Sequence, residues 1–222
     1  VMDEILLTSY ICHPSMVNNE LSGPTVLLEI LRWLCVYGKR RYSYRILFLP
    51  ETIGAIAYIS DHLRHMQENI AAGYVLTCIG DERRYSYVNS RHGDSLSDRA
   101  ARIVLRTINQ NCYEYSWLDR GSDERQFCAP NVNLPIGSLM RTKYGEFPEY
   151  HTSLDDLDMV SVQSLDESFC FVRDTILSIE HNCIPHCTTI GEPQLGKRGL
   201  YPTLSTKSVH GQVHNLMTLV GY

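Results

Sequence analysis

Short apolar runs rich in β-branched and aromatic residues alternate along the chain with longer apolar stretches. The first run, Ile5 to Cys12, has the length and composition of a buried strand. Thr25 to Tyr37 is too long for a typical strand and predicts a helix. It is apolar nearly all round (Val26, Leu27, Leu28, Ile30, Leu31, Trp33, Leu34), so heavy burial is expected. Ser22 is placed as its N-cap, Pro24 in its first turn and Gly38 as its stop. The unit then repeats. Tyr44 to Leu49 is a strand, Pro50-Glu51-Thr52 a polar corner, and Gly54 to Met66 a helix with Ile56, Ala57, Ile59 and Leu63 on its apolar face.

Ile70 to Ile79 predicts a third strand, Tyr85 to Val88 a short one, and Ser95 the start of a helix with Asp98 at N3, as in a capping box. Tyr113 to Leu118 reads as a strand. Arg120 to Phe127 reads as a polar loop opening a short helix, and Leu134 to Met140 as a late strand with Pro135 at its start. Arg141 to Leu157 is a long loop of the kind that often carries function. The last strong helix, Val162 to His181, places Val162, Leu165, Phe169, Val172, Ile176 and Ile179 in one buried stripe. This alternation predicts a three-layer α/β fold with a mixed, largely parallel sheet and helices on both faces.

After Pro185 the pattern changes. Gly191 to Pro202 is rich in Gly and Pro without a period and reads as a connector. Gln212 to Leu219 reads as the first turns of a helix. The domain is therefore placed at residues 1–184, with 185–222 leading towards a further module. Because the chain enters a strand almost at once, the expectation is a piece of a longer protein.

Composition narrows the classes. The 222 residues carry a net charge of −5 without a basic block, which gives no support to nucleic-acid binding through this domain. No apolar run approaches a membrane span. The eight cysteines do not form a disulfide framework in the pattern. Cys12 and Cys78 end strands, Cys35 and Cys170 lie in helices, and all four read as small buried hydrophobes in a reducing, cytoplasmic setting. Cys183, His186 and Cys187 cluster in HNCIPHC but lack a second pair at zinc-site spacing, and a structural role is favoured there.

If the first two strands are parallel, His13 and Glu51 leave the same sheet edge, where open α/β sheets bind ligands. Four polar corners gather near that edge: His13 to Glu20, Glu51, Asp81, and the loop reaching His151. Imidazole and carboxylate together suit zinc, and an unbound carboxylate can deprotonate water.

CHPSMVNNELSGP, PETIGAIAY, SDERQF and YHTSLDDLDMV resemble the aminopeptidase-like proteins found beside bacterial polysaccharide-biosynthesis genes. Those are relatives of zinc aminopeptidases of the leucyl-aminopeptidase and aminopeptidase Y type. The resemblance runs from about Ile5 to Tyr201, includes GEPQLGKRGLYP, and implies a zinc-exopeptidase-like fold followed by a winged-helix segment. It places His13 and His151 at the two His ligands and Glu51 at the catalytic base. It also places Asn19, Thr52 and Thr77 where that family has carboxylate ligands. Asn and Thr bring no charge to offset two dications, so one zinc is expected rather than two. Its ligands are then His13, His151 and a carboxylate. Glu20 is the first choice, with Glu51 as base; alternatively Glu51 is the ligand and no base remains. Asp81 is the weaker candidate. Asn19, Asp123, Glu124 and Tyr150 are placed at the substrate cleft, although a local hydrogen bond or salt bridge is the simpler role for Asp123, Glu124 and Tyr150. The reading is a zinc-dependent hydrolase acting on a peptide or an amide small molecule. Its rivals are a non-catalytic domain that binds a ligand or partner in the old cleft, and a structural platform for a C-terminal module.

Overall fold

Two seven-residue strands, each leading into a helix, open the architecture of the computed structural model. It describes residues 3–108 and 111–184, with 186, 188, 190, 194 and 197. The strands are β1 (Glu4–Tyr10), β2 (Ser43–Leu49), β3 (Ile70–Leu76), β4 (Tyr85–Val88), β5 (Cys112–Tyr115) and β6 (Ile136–Met140). The helices are α1 (Ser22–Val36), α2 (Ile53–Asn69), α3 (Leu96–Ile108), α4 (Glu124–Phe127) and α5 (Val162–Glu180). The sheet order is β2-β1-β3-β6-β4-β5. Every pairing is parallel except β4 with β6. The expected mixed, largely parallel sheet is what forms.

Side-chain alternation divides the core between the two faces. On β1, Ile5 and Leu7 join Val26, Leu27, Ile30, Val172 and Ile176 from α1 and α5. Leu6 points the other way, to Ala55, Ile59, Met66 and Phe127 from α2 and α4. Helices therefore cover both faces and the core is in two layers around the sheet. The Ser95–Asp98 capping box is present: the Ser95 N–H donates to Asp98 Oδ2 at 2.7 Å and the Asp98 N–H to Ser95 Oγ at 3.3 Å.

Several local expectations are corrected. Residues 17–21 are a π-helical turn rather than loop. Ser22 is therefore inside the helix, where its hydroxyl donates to the Asn18 carbonyl and accepts the Ile79 N–H instead of capping. α1 is two-sided, with Leu28 and Val36 exposed. On α2 the buried residues are Ala55, Ile59 and Met66, while Ile56 and Ala57 face water. Val162, next to the Ser161 cap, is exposed, and Phe171 takes part in the buried stripe instead. Cys12 and Cys35 are exposed and Cys170 is only partly covered; Cys78 is buried as expected. Cys187, most of the Gly191–Pro202 stretch and the Gln212–Leu219 helix lie outside the described residues. Among the described residues, no helix is long and apolar enough to cross a membrane.

Gly23, in the first turn of α1, lets the helix lie against the end of β3. A Cβ there would overlap the Leu76 carbonyl oxygen and Ser9 Oγ, which are already joined by a 2.7 Å hydrogen bond. Gly23→Ala is expected to cost about 1–3 kcal/mol in urea unfolding. An unchanged midpoint would show that α1 can slide away from the strand end without loss.

Candidate metal and catalytic corner

β1 and β2 pair in register to Tyr10 and Leu49. The Ile11 N–H then donates to the Leu49 carbonyl at 3.0 Å, one step beyond the strands. The chain segments carrying His13 and Glu51 consequently leave the sheet side by side at its C-terminal edge.

The π-helical turn brings Glu20 back over this corner. A widened turn is stable only if its free N–H groups are satisfied, and a residue far along the chain does so. Asp155 accepts the Asn18 N–H at 2.6 Å and the Asn19 N–H at 3.0 Å, while its own carbonyl accepts the Val17 N–H at 3.2 Å. Asp155 is buried. It ties the His151 loop to the turn bearing Glu20. It lies in YHTSLDD, and the donors it serves are more than a hundred residues away in the chain.

Glu20 is 2% exposed. One carboxylate oxygen accepts the Cys12 N–H; the other lies 3.3 Å from His13 Nδ1. Cys12 Sγ is 3.3 Å from the same ring nitrogen and 4.0 Å from Glu20 Oε2. These three donor atoms lie within 4.8 Å of one another, the one such group among the described residues. The imidazoles of His13 and His151 are 5.2 Å apart between centroids, and Tyr150 stacks on His151 at 4.0 Å. The structure therefore brings His13, Glu20, His151 and Tyr150 together. Desolvation of the Cys12 sulfur pushes its thiol up to about 11, so without a cation it stays a thiol at neutral pH. It is a poor free nucleophile in that state.

Glu51 stands beside this group. Burial raises its carboxyl above the usual range, against the pull of Arg125 and His13. The next residue, Thr52, has a left-handed backbone (φ 61°). Asp123 accepts its N–H at 2.7 Å and Arg125 donates to its hydroxyl at 2.7 Å. This clamp fixes the corner from which Glu51 projects.

Asp81 and Asn19 leave their expected roles, and Asp123 and Glu124 take the simpler hydrogen-bonding role rather than a place at the cleft. Asp81 is 2% exposed, and its oxygens accept from Asn18 Nδ2, the Arg83 N–H and both the N–H and hydroxyl of Thr142. It is a buried staple with no lone pair directed to a metal. Glu124 is fully buried and takes four donors within the fold, so it does not line a cleft. Asp123 lies beneath Thr52 and is also buried, so it supports the corner without facing substrate. Asn19 is 1% exposed. Its side-chain oxygen accepts from Tyr10 Oη at 3.3 Å and Cys78 Sγ at 3.5 Å, while its carbonyl accepts from Thr77 Oγ1 at 3.2 Å. The Tyr10 and Thr77 hydroxyls are joined directly.

That last network bears on the metal count. The resemblance puts Asn19, Thr77 and Thr52 at three places where a paired metal site would need anions. Asn19 and Thr77 are instead bonded to Tyr10 and Cys78, whose burial pushes both groups up and keeps them neutral. The hydroxyl of Thr52 receives a cation, Arg125. The chemistry of these three residues does not suit two dications, whereas the Cys12, His13 and Glu20 donor atoms are close enough together for one cation.

A family model described as a domain of unknown function, DUF4910, matches residues 1–182, and one described as a winged helix-turn-helix matches residues 183–222. A Clostridium acetobutylicum protein named for polysaccharide biosynthesis and an aminopeptidase-like domain is 43% identical over 204 residues, covering 90% of this chain and 45% of that protein. A crystal structure from the same species, provisionally described as a peptidase, is 42% identical with a TM-score of 0.83, covering 90% of this chain and 47% of that one. The chain thus spans about half the length of these relatives. BSAP, a zinc aminopeptidase from Bacillus subtilis, superposes with a TM-score of 0.67 at 17% identity, over 79% of this chain and 45% of that one. At that identity the likeness is one of fold.

Proposed function

The chain belongs to the DUF4910 family, and from that premise we propose that its domain is a mononuclear zinc-dependent hydrolase of aminopeptidase type. The observation that carries the reading is the convergence of His13 and Glu20 beside His151, with Glu51 projecting from the adjacent strand end. His13, Glu20 and His151 would hold the metal. A zinc ion there would supply Lewis acidity toward a carbonyl oxygen and make water more acidic. The chain supplies the rest. Glu51, held above the ordinary carboxylate range by burial, accepts a proton from water and returns it to the leaving amine. The substrate class is a peptide or amide, and the name of the Clostridium relative supports a place in polysaccharide biosynthesis. Residues 183–222 would begin a winged helix-turn-helix module.

One observation favours a second reading. The neutral network around Asn19 and Thr77 occupies places that would hold metal ligands in an active relative, as expected for a cleft retained only to bind a ligand or partner.

Elemental analysis separates the two. The protein is purified without chelator in a Cys183→Ser/Cys187→Ser background, which removes the other cysteine–histidine cluster. About one zinc per chain is expected, falling towards zero in His13→Ala/His151→Ala. Glu51→Gln should keep the zinc and lose peptide hydrolysis. No zinc in the parent protein, even after addition, would leave the binding reading in its place.

A further inference from the structure

At the end of β1 a sulfur, a nitrogen and an oxygen crowd round one point. Cys12 Sγ and Glu20 Oε2 each lie 3.3 Å from His13 Nδ1, and 4.0 Å from each other. An imidazole nitrogen carries at most one proton, and that proton can satisfy only one of the two neighbours fully. A cation at the centre satisfies all three. The spacing agrees. Bonds of about 2.0–2.3 Å from zinc to N, O and S at tetrahedral angles keep the ligand atoms about 3.3–3.7 Å apart; the two contacts of His13 Nδ1 meet this, and the 4.0 Å between sulfur and oxygen is slightly wider.

The backbone makes this arrangement rigid. Cys12 and His13 are consecutive, so their donors move together. Glu20 is locked onto them because its second oxygen accepts the Cys12 N–H. The turn bearing Glu20 is in turn pinned by Asp155. Two of the three ligand residues are on the accessible side: Cys12 is exposed and the His13 side chain is 39% exposed. A metal therefore has a path in, and the His151 ring lies 5.2 Å from that of His13.

Charge points the same way. A thiolate and a carboxylate together cancel one dication without help from Asn19, Thr52 or Thr77. The loss of anions at those three places is then consistent with a site that has contracted around a different donor set.

We propose that Cys12 is a metal ligand, and that this chain holds zinc through a Cys12–His13–Glu20 set. The inference rests on the mononuclear reading above and changes its chemistry. Binding releases the thiol proton to solvent and forms a sulfur–metal bond. The thiolate biases the site towards zinc and against magnesium, calcium and manganese.

Cobalt(II) is the probe, titrated into the full chain in the Cys183→Ser/Cys187→Ser background. The expected result is one near-ultraviolet thiolate-to-cobalt charge-transfer band that saturates near one equivalent and disappears on zinc addition. Cys12→Ser should fold with an unchanged melting curve, lose the band, and bind zinc at least about 10-fold more weakly. Cobalt binding with no thiolate band in the parent protein would overturn the role of Cys12 and leave the His13–Glu20–His151 site standing. Cobalt and zinc both failing to bind the parent protein would overturn this inference and the mononuclear site together.

Discussion

Glu124→Ala is expected to remove about 3–5 kcal/mol of folding stability. The Glu124 carboxylate is fully buried. Its Oε1 accepts the Gly121 N–H at 2.8 Å, the Ser122 N–H at 3.0 Å and Tyr144 Oη at 2.8 Å. Its Oε2 accepts Ser138 Oγ at 2.8 Å. Truncation leaves four donors facing apolar surroundings with no acceptor, and a cavity beside them. Water can reach the N–H of the exposed Gly121, but the donors of Ser122, Ser138 and Tyr144 are buried. Burial, and then Glu124 itself, push the Tyr144 hydroxyl far up, so it remains a donor at any working pH. The loss also reaches the candidate site. Gly121 and Ser122 lead into Asp123, which holds the left-handed Thr52 beside Glu51. Urea unfolding followed by far-ultraviolet circular dichroism measures the effect. Glu124→Gln keeps one acceptor oxygen but gives up the charge, and should fall between the parent and Glu124→Ala. A loss under about 1 kcal/mol for Glu124→Ala would mean that the loop rearranges freely, and that Glu124 does not organise it.

Much of the fold could be read from residues close together in the chain. Hydrophobic period located all six strands within a few residues, and the Ser95–Asp98 box and the Ser161 boundary of α5 follow from local capping chemistry. What could not be read depends on partners far along the chain. The π-helical turn has no local signature, because it persists through Asp155, more than a hundred residues away. Asp81, Asp123 and Glu124 look like exposed loop acids in sequence, yet each is buried against hydrogen-bond donors from distant segments. Burial of a carboxylate is decided by whether the fold delivers such donors, and nothing local records that. Cys12 failed in the opposite sense. Its place at the end of an apolar run suggested a core thiol, but the chain emerges from the sheet at Ile11, which is also exposed. The neighbourhood of His13 and Glu51 is legible from their positions after two strands, which the parallel pairing of β1 with β2 brings side by side, whereas the roles of His151 and Glu20 come from the family resemblance.

Asp123→Asn should act in the opposite direction from its neighbour, and only above acid pH. Burial lifts the Asp123 carboxyl from 3.8 to about 7, with the charges of Glu51 and Glu124 adding to the effect. The folded-state value is the raised one. The stability associated with the neutral form is therefore fully present below about 3.8, declines as pH rises through the window up to about 7, and is gone above it. At about 1.4 kcal/mol per pKa unit, the wild-type protein gives up about 2–4 kcal/mol across that window. Asn removes the charge but retains an oxygen to accept the Thr52 N–H. The two proteins should have equal stability near pH 4, and the variant should gain steadily until the difference levels off above pH 7–8. Urea titrations at intervals from pH 4 to 8.5 would show it, and parallel curves would establish that Asp123 ionises normally within the fold. Thr52 and Asp123 join the Glu51 corner to the loop that Glu124 organises. While protonated, this acid adds no negative charge beside Glu51; ionised, it raises Glu51 further, and the Thr52 N–H it accepts offsets only part of the cost of burying the charge. The adjacent acids of SDERQF thus have distinct duties set by their partners: Glu124 gathers four donors from its own loop, β6 and Tyr144, while Asp123 accepts the single N–H of Thr52 and is disfavoured by burial once it ionises.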